Sequence, residues 1–262
     1  MARRPARLAA ALTALALLAP VAAPAAALPE TVARVAPAVV AVGSWALRRT
    51  PPSHYLGTGF AVADGRHCLT NAHVVAPVAE ERQAAEVRLA VFSRGPGGVV
   101  RRGARVVAED RDHDLALLAF DGPPLPALHL GDSRAVRPGE AVAITGFPIG
   151  MVLGLHPATH AGIVAAVVPV TDPALSSRRL TPQRIRQLRH PFPIFQLDLT
   201  AYPGNSGSPL YRPATGEVVG VVNAVLAKKG KESALTHPSG ISYALPIHLA
   251  RPLLARAGLA PE

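Results

Sequence analysis

The sequence of 262 residues contains a single cysteine, Cys68, and very few aromatic residues. One cysteine cannot form an intrachain disulfide, so the fold has to be stabilised by its core and not by covalent cross-links. Aromatic residues make up 4% of the chain and hydrophobic residues 49%, which predicts a core of small and branched aliphatic side chains. At this length, one large domain or two small ones can bury such a core.

Lysine is almost absent, because it occurs only at positions 228, 229 and 231, and arginine supplies nearly all of the positive charge. The formal net charge is +10. The arginines are scattered and form no Lys/Arg-rich run with interleaved aromatic residues, so we expect a solvated basic surface and no nucleic-acid partner. Binding to anionic surfaces or nucleic acid stays a third hypothesis that only the charge favours.

The residue spacings typical of metal sites are missing, since the chain has no CxxC pair and no HExxH. His156 and His160 are four residues apart, but Pro157 lies between them and no third ligand is evident. We therefore expect no metal site and no cofactor. Cys68 lies in an apolar, strand-like context, which predicts a buried and inert thiol.

Residues 1–27 have the composition of an export signal. Three arginines precede an apolar stretch at 8–19, prolines at 20 and 24 end it, and alanines at 25–27 offer a cleavage site before Leu28. An uncleaved membrane anchor is the alternative, but the prolines and the alanine-rich end argue against it. We expect a periplasmic or secreted protein that starts at residue 28 and has no stable membrane insertion after signal cleavage.

The rest of the chain has the pattern of many short strands separated by turns. Residues 29–35 predict a short helical or extended segment, 121–140 a linker between two halves, and 246–254 a short terminal helix. The pattern predicts an all-β fold, either sandwich or barrel. The strands are predicted at 37–42, 57–62, 67–70 (running on into 71–75), 86–92, 99–108, 115–120, 141–145, 161–168, 194–199, 209–211, 217–226 and 240–245.

Residues 202–210, Tyr-Pro-Gly-Asn-Ser-Gly-Ser-Pro-Leu, place Ser206 between two glycines. A serine hydroxyl is a poor nucleophile unless a base takes its proton. The glycines allow a tight turn in which the N–H groups of residues 204–206 point into one concavity, as a developing oxyanion requires. The same residues are also typical of a surface turn between two strands, with no catalysis implied. This stretch alone leaves both interpretations open.

Two further blocks come before this stretch in the chain. Residues 70–75 read Thr-Asn-Ala-His-Val-Val, and residues 112–118 read Asp-His-Asp-Leu-Ala-Leu-Leu. The histidine, the second aspartate and the serine are separated by 41 and 92 residues. In this order the three blocks resemble the chymotrypsin-like serine peptidases, most closely the bacterial HtrA/Deg branch. The resemblance covers nearly all of residues 30–255, with further matching segments at 34–40, 130–140, 146–150, 161–164 and 240–246.

The resemblance implies two orthogonal six-stranded antiparallel β-barrels of the chymotrypsin type, followed by a short C-terminal helix. We place the N-terminal barrel in residues 28–135 and the C-terminal barrel in residues 136–262. The resemblance puts the active site in the cleft between the barrels. It also implies an exported serine endopeptidase that acts on polypeptide substrates through an acyl-enzyme.

The same resemblance assigns a role to each residue of a catalytic triad. His73 is the general base, Asp114 orients it, Ser206 is the nucleophile, and the backbone N–H groups of Gly204 and Ser206 form the oxyanion hole. Taken singly, His73 could be a strand-end histidine and Asp114 a turn aspartate. Asp114 precedes an apolar strand, so its carboxylate should be partly buried and should need a donor such as the Nδ1–H of His73.

The sequence departs from the HtrA/Deg pattern beside the nucleophile. Ser208 stands where that branch usually has a second glycine, and residues 199–202 replace the usual Ala-Ala-Ile-Asn. No charged residue is evident at the pocket base, so we expect a small or medium apolar residue at P1 of the substrate. The residues predicted to line the cleft and bind substrate are Thr200, Val221, Val222 and Asn223.

A different class of function also fits the sequence. Because the sequence ends at Glu262, we expect the C-terminal PDZ module of the family to be missing, and a homo-oligomer is left open. A catalytically latent or silent protein that keeps the fold and acts as a binding or chaperone-like protein is the alternative, with activity withheld until a loop or partner orders the oxyanion hole. The arginine-rich segment 171–193 predicts a solvated insertion or, alternatively, an active-site rim that steers acidic substrates.

Overall fold

The structure is a computed structural model that describes residues 28–81, 86–95, 97–148, 155–170, 191–224 and 241–259. The predicted export signal at 1–27 lies outside the described residues, and of the arginine-rich segment 171–193 only 191–193 lie within them. Within these ranges, no helix combines the length and the apolar character needed to cross a membrane.

Strands dominate the described residues. Three helices accompany them: α1 (Leu28–Val35), α2 (Ala72–Glu81) and α3 (Arg251–Arg256), with 3₁₀ turns at Ala36–Ala38, Ser133–Ala135 and Ile247–Ala250. The strands are β1 (Val39–Trp45), β2 (Ser53–Val62), β3 (His67–Thr70), β4 (Arg88–Gly95), β5 (Gly98–Asp110), β6 (Leu115–Phe120), β7 (Ala141–Gly146), β8 (Ala158–Pro169), β9 (Pro193–Asp198), β10 (Pro209–Tyr211), β11 (Val218–Val222) and β12 (Ile241–Pro246).

These strands close into two antiparallel barrels of six strands each. The first has the order β1-β2-β3-β6-β5-β4 and the second the order β10-β11-β12-β9-β8-β7. Closure leaves neither sheet with an open edge, which is one way in which all-β proteins avoid aggregation. The two-barrel fold and the short C-terminal helix, α3, are therefore confirmed.

The core is aliphatic, as the composition predicts, and it continues from one barrel into the other. One buried cluster lies within the first barrel around Val91 and Leu118, and another lies within the second around Ile144 and Leu197. A third cluster contains residues of both barrels, such as Phe60, Leu117, Ala143 and Val221. Because apolar surface is shared in this way, side chains carried by different barrels are held at defined positions across the interface.

Helix α2 is the main departure from the predicted strands. The sequence predicts that the strand at 67–70 continues into 71–75, but β3 ends at Thr70 and a helix begins at Ala72. Val74, Val75 and Val78 are buried against the first barrel. Their spacing forms one helical face, and this burial overrides the preference of valine for strands. His73 therefore lies in the first turn of a helix.

Cys68 is fully buried in β3, where its side chain packs in the core of the first barrel. Burial in this apolar environment raises the pKa of its thiol far above the ordinary value. The thiol therefore stays protonated at physiological pH, in agreement with the predicted inert cysteine.

Gly146 ends β7 at a point where no side chain fits. A Cβ there would collide with the hydroxyl of Ser208 and would lie 2.9 Å from Oδ1 of Asn205. We expect Gly146→Ala to lower the free energy of unfolding by about 2 kcal/mol, because overpacking a closed core forces its neighbours to move. Adding Ser208→Gly should restore part of this loss, because it removes the nearest atom.

Urea denaturation of the wild type, the two single variants and the double variant measures this coupling. Two contacting sites should show a coupling free energy of about 1 kcal/mol or more. Additive effects within about 0.5 kcal/mol would contradict the predicted collision.

Candidate active site

The structure brings His73 and Asp114 together at the start of α2. Nδ1 of His73 lies 2.6 Å from Oδ2 of Asp114, and the backbone N–H of His73 donates to Oδ1 at 2.8 Å. The two side chains are 30% and 21% exposed, so one face of the pair is open to a ligand. An ionised carboxylate can only accept, so the proton of the imidazole lies on Nδ1 and Nε2 is free to accept another.

The backbone of Asp114 is held by the segment that leads into α2. Its carbonyl accepts from the backbone N–H of Ala72 at 3.2 Å and from Nδ2 of Asn71 at 3.1 Å. Its φ of +53° lies in the left-handed region, which aspartate tolerates better than most residues. The carboxylate thus lies at the N-terminus of a helix, where the backbone dipoles favour a negative charge.

The turn that carries Asp114 is ordered by Asp110. Oδ1 of Asp110 accepts from the backbone N–H groups of Asp112 and His113, each at 3.1 Å, and Oδ2 lies 2.8 Å from Nδ1 of His113. Burial by itself would raise the pKa of Asp110, but the hydrogen bonds from His113 and the backbone outweigh it and hold the pKa below its ordinary value. Asp110 therefore orders the turn as a carboxylate.

His113 also connects this turn to the second barrel. Its ring meets that of Phe192 edge-on, with a distance of 4.6 Å between ring centroids. Edge-to-face packing of this kind is favourable beyond the area that it buries. The turn that carries Asp114 is thus held by Asp110 within the first barrel and, through His113, by Phe192 from the second.

Asn223 is buried against Asp114. It is predicted to bind substrate, but it is only 2% exposed, and its Nδ2 donates to Oδ2 of Asp114 at 2.7 Å. The carboxylate consequently accepts from His73, which α2 places beside the first barrel, and from Asn223 of the second barrel. A sequence signal exists, because a polar residue that directly follows the buried strand β11 has to find a partner inside the protein.

Ser206 lies in the loop before β10 and is 5% exposed. Its carbonyl accepts from the backbone N–H of Thr58 at 2.8 Å. A Cβ on Gly57 would lie 2.9 Å from that same carbonyl and 2.8 Å from the Val74 side chain, so the loop of Ser206 and helix α2 both approach β2 at Gly57. In the described part of the chain, no hydrogen bond joins the hydroxyl of Ser206 to the ring of His73.

The loop around Ser206 uses some of its backbone N–H groups and leaves others without a protein acceptor. Three of these groups donate to backbone carbonyls: the N–H of Asn205 to the carbonyl of Tyr202 at 3.0 Å, the N–H of Gly207 to that of Val222 at 2.9 Å, and the N–H of Ser208 to that of Asn205 at 3.0 Å. Over the described residues, the N–H groups at 204 and 206 donate to no protein atom. These are the two groups predicted to form an oxyanion hole, so both are available to a ligand.

Two of the predicted substrate-binding residues are buried. Val221 and Val222 are 0% exposed, and β11 pairs with β10 on one side and with β12 on the other. Both side chains therefore lie within the wall of the closed second barrel. Thr200 is half-buried, so it is the member of the predicted set whose side chain is partly accessible to solvent.

The segment before the Ser206 loop is held by a residue that the sequence analysis missed. Oγ of Ser242, on β12, accepts from the N–H of Ala201 at 2.9 Å and donates to the carbonyl of Leu199 at 2.8 Å. Next to it, the rings of Tyr202 and His160 lie 5.7 Å apart between centroids. Burial lowers the pKa of His160, which favours its neutral form.

Metal ligation has little support in this region. Across the described ranges, no three His, Cys, Asp or Glu side chains group as ligands of one ion. The chemistry available at the site is instead that of a hydroxyl, an imidazole paired with a carboxylate, and two backbone donors. Such a set is suited to acyl transfer.

The chain is similar to proteases of known family. A family model described as a trypsin-like peptidase domain matches residues 57–221. A relative from Halomonas elongata named "probable periplasmic serine endoprotease DegP-like" is 31% identical over 195 residues, which is 74% of this chain and 33% of the relative. A relative of the same name from Pseudomonas fluorescens is 34% identical, with the same coverage. The chain therefore spans about a third of the length of these curated relatives.

A solved structure titled "HtrA-type protease AlgW with tripeptide" has a similar fold. Its TM-score is 0.61 at 26% sequence identity, and the match covers 88% of this chain and 63% of that one. This match extends over both barrels.

We expect Asp110→Asn to reduce the acid sensitivity of the fold. The folded-state pKa of Asp110 lies below its ordinary value, so its stabilisation is complete above the ordinary pKa and is lost as the pH falls below about 4. The variant should lower the free energy of unfolding at pH 7 by about 0.5–1 kcal/mol and should flatten its decline in acid. Urea denaturation at a series of pH values measures both.

Asp64→Asn is the matched control, because Asp64 pairs with His67 at 2.8 Å at the same spacing along the chain but in the β2–β3 turn. The pKa of Asp64 is also lowered, with burial opposing and His67 favouring the charged form. Only Asp110→Asn should shift the NMR resonances of the His73 ring. Equal shifts in both variants would contradict a specific role of Asp110 in the turn of Asp114.

Proposed function

The chain belongs to the trypsin-like peptidase family, and on that basis we propose that it is an exported serine endopeptidase with a triad of His73, Asp114 and Ser206. The observation that carries the proposal is the 2.6 Å contact between Nδ1 of His73 and Oδ2 of Asp114. This contact selects the tautomer in which Nε2 can take a proton. The relatives named as serine endoproteases support the same activity.

In the proposed first step, Oγ of Ser206 attacks the carbonyl carbon of a peptide bond while Nε2 of His73 takes the hydroxyl proton. The negative charge moves to the carbonyl oxygen, where the N–H groups of Gly204 and Ser206 stabilise it. Asp114 stabilises the imidazolium and keeps its orientation, with Asn223 and the backbone of α2 holding the carboxylate. His73 then gives the proton to the leaving amine, and an acyl-enzyme remains.

In the proposed second step, a water molecule replaces the amine. His73 takes a proton from the water as the oxygen attacks the ester carbonyl, and the same two N–H groups receive the second oxyanion. Collapse of this intermediate breaks the bond to Oγ of Ser206, which recovers its proton from His73. Each turnover therefore restores the enzyme and consumes one water molecule.

The proposed substrates are polypeptides outside the cytoplasm. The relatives are named periplasmic, and the signal-like residues 1–27 agree with export. Thr200 is the proposed contact of the pocket for the P1 side chain, with Val221, Val222 and Asn223 as its support. Thr200, the proposed contact, carries no charge, which favours a small or medium apolar P1 residue over a charged one.

One observation favours the second candidate, a latent or silent protein that binds through the same fold. In the described residues the Ser206 hydroxyl makes no hydrogen bond to His73. Hydrogen bonds of catalytic groups often tighten only when substrate binds, so the same geometry also fits an active enzyme. Reactivity of the serine separates the two functions.

We expect a fluorophosphonate probe to label the purified protein from residue 28 at Ser206. Labelling requires a serine activated by its base, so Ser206→Ala should abolish it and His73→Ala should slow it by at least about 1,000-fold. Gel fluorescence and mass spectrometry of the labelled peptide measure the result. Ser208→Ala is a matched control that removes a neighbouring hydroxyl and should keep the labelling.

If the folded wild type is not labelled, the constitutive protease is excluded and the latent or binding function takes its place. If a peptide substrate in saturating amount then restores labelling, the protein is latent. If labelling still fails, a silent binding protein remains.

We expect Asn223→Ala to lower kcat by about 10-fold and to leave KM within about 2-fold, because the lost hydrogen bond to Asp114 matters for positioning and not for substrate binding. Asn223→Ser keeps a donor at this position and should retain more of the activity. Steady-state kinetics with a chromogenic peptide measures both parameters. A rise in KM at unchanged kcat would instead return Asn223 to the substrate-binding set.

A further inference from the structure

Thr58 is a fully buried residue of β2 that lies against the loop of Ser206. On one edge of β2 it pairs with Ala41 of β1, whereas β3 pairs with β2 only from Phe60 onward. On its other edge, β2 therefore has no strand partner at Thr58, and the Ser206 loop of the second barrel bonds to it there. The backbone N–H of Thr58 donates to the carbonyl of Ser206 at 2.8 Å.

The hydroxyl of Thr58 joins two segments of the second barrel. It donates to the carbonyl of Gly204 at 2.7 Å and accepts from the backbone N–H of Phe147 at 3.1 Å. The carbonyl of Thr58 accepts from Oγ1 of Thr70 at 2.7 Å. A hydroxyl can donate once and accept at the same time, so a single side chain serves both segments, and every polar atom of Thr58 is paired.

These contacts fix the peptide group between Gly204 and Asn205 from both sides. Its carbonyl accepts from the hydroxyl of Thr58, and its N–H donates to the backbone carbonyl of Tyr202 at 3.0 Å. Since a peptide group is planar, two anchors on opposite edges set its orientation. Gly204 has a φ of +98° and no side chain, so the chain itself restrains this carbonyl weakly.

The fixed peptide group lies between the two proposed oxyanion donors. The N–H of Gly204 comes immediately before it and the N–H of Ser206 immediately after it, and neither donates to a protein atom in the described chain. The carbonyl of Ser206 is held by the N–H of Thr58. The Ser206 loop also lies against β2 at Gly207, because a Cβ there would collide with the carbonyl of Thr58.

We propose that Thr58 is a positioning residue for the oxyanion hole, and that its hydroxyl, from the first barrel, sets the direction of the donors carried by the second. The inference rests on the proposed serine endopeptidase and deepens it. Thr58 does not touch the substrate and acts through Gly204. If these N–H groups point in the wrong direction, they no longer stabilise the negative charge that develops in the transition state, whereas substrate binding is retained.

Thr58→Val removes the hydroxyl and keeps the shape of the side chain. Loss of one oxyanion donor costs a factor of about 100 to 1,000 in kcat, and misalignment should cost part of that, about 10- to 100-fold. KM should stay within about 2-fold, and the rate of fluorophosphonate labelling should fall in parallel with kcat. Thr58→Ser keeps the hydroxyl and should stay within about 3-fold of the wild type in both measurements.

Thr145→Val is the matched control. Thr145 is also fully buried, and its hydroxyl also has two partners, Thr159 at 2.9 Å and Tyr211 at 2.8 Å. The same substitution there removes an equivalent pair of hydrogen bonds without touching the Ser206 loop. If Thr58→Val and Thr145→Val lose equal stability but only Thr58→Val loses kcat, the effect is one of positioning.

A second readout needs no activity. With its carbonyl released, the Gly204–Asn205 peptide group should rotate more freely, and the amide of Asn205 should exchange its hydrogen at least about 10-fold faster in Thr58→Val than in Thr145→Val. If Thr58→Val does not fold, Thr58→Ala is measured in its place. Hydrogen exchange followed by NMR gives the rate for this one amide.

The outcomes separate the two proposals. A wild type that is not labelled removes the proposed function, and exchange of the Asn205 amide then decides alone whether Thr58 orders the loop. A labelled wild type with unchanged kcat and unchanged Asn205 exchange in Thr58→Val overturns the role of Thr58 and leaves the endopeptidase standing.

Discussion

The constraint on which the site depends is the set of hydrogen bonds that converge on the carboxylate of Asp114. The backbone N–H and the imidazole of His73 donate to it from α2, and Asn223 donates to it from the second barrel. A partly buried carboxylate without donors would be costly. Satisfying this one group therefore links the start of the helix, the histidine and the contact between the barrels.

The fold could be read from the sequence to the extent that local patterns decide it. Short apolar runs between turn residues predict strands, and the twelve strands of the described chain lie where these runs lie. Helix α2 was missed because Val74, Val75 and Val78 favour strands locally, and only packing against the first barrel makes them helical. A sequence window of a few residues does not contain that information.

Residues of the site could be predicted where they belong to the three short sequence motifs. Residues whose hydrogen-bond partners lie far away in the sequence were harder to predict. His73 and Asp114 come from blocks and lie in contact, whereas the catalytic role of the triad stays a prediction. Asn223, Ser242 and Thr58 form partnerships over separations of 109, 43 and 146 residues. Val221 and Val222 are buried in the wall of the second barrel, which an apolar run in the sequence does not reveal, because the run alone does not show which faces of a strand other elements cover.

The bonds from Thr58 to Gly204 and from Asn223 to Asp114 run in opposite directions between the barrels. Each half of the molecule thus lacks something that the other supplies. A chain divided in the irregular connection between β6 and β7 would give two fragments, neither of which contains a complete site. If the two fragments are mixed, the complete site forms only when they associate. The molecule therefore has the layout of a split reporter, in which the site signals that the fragments have assembled.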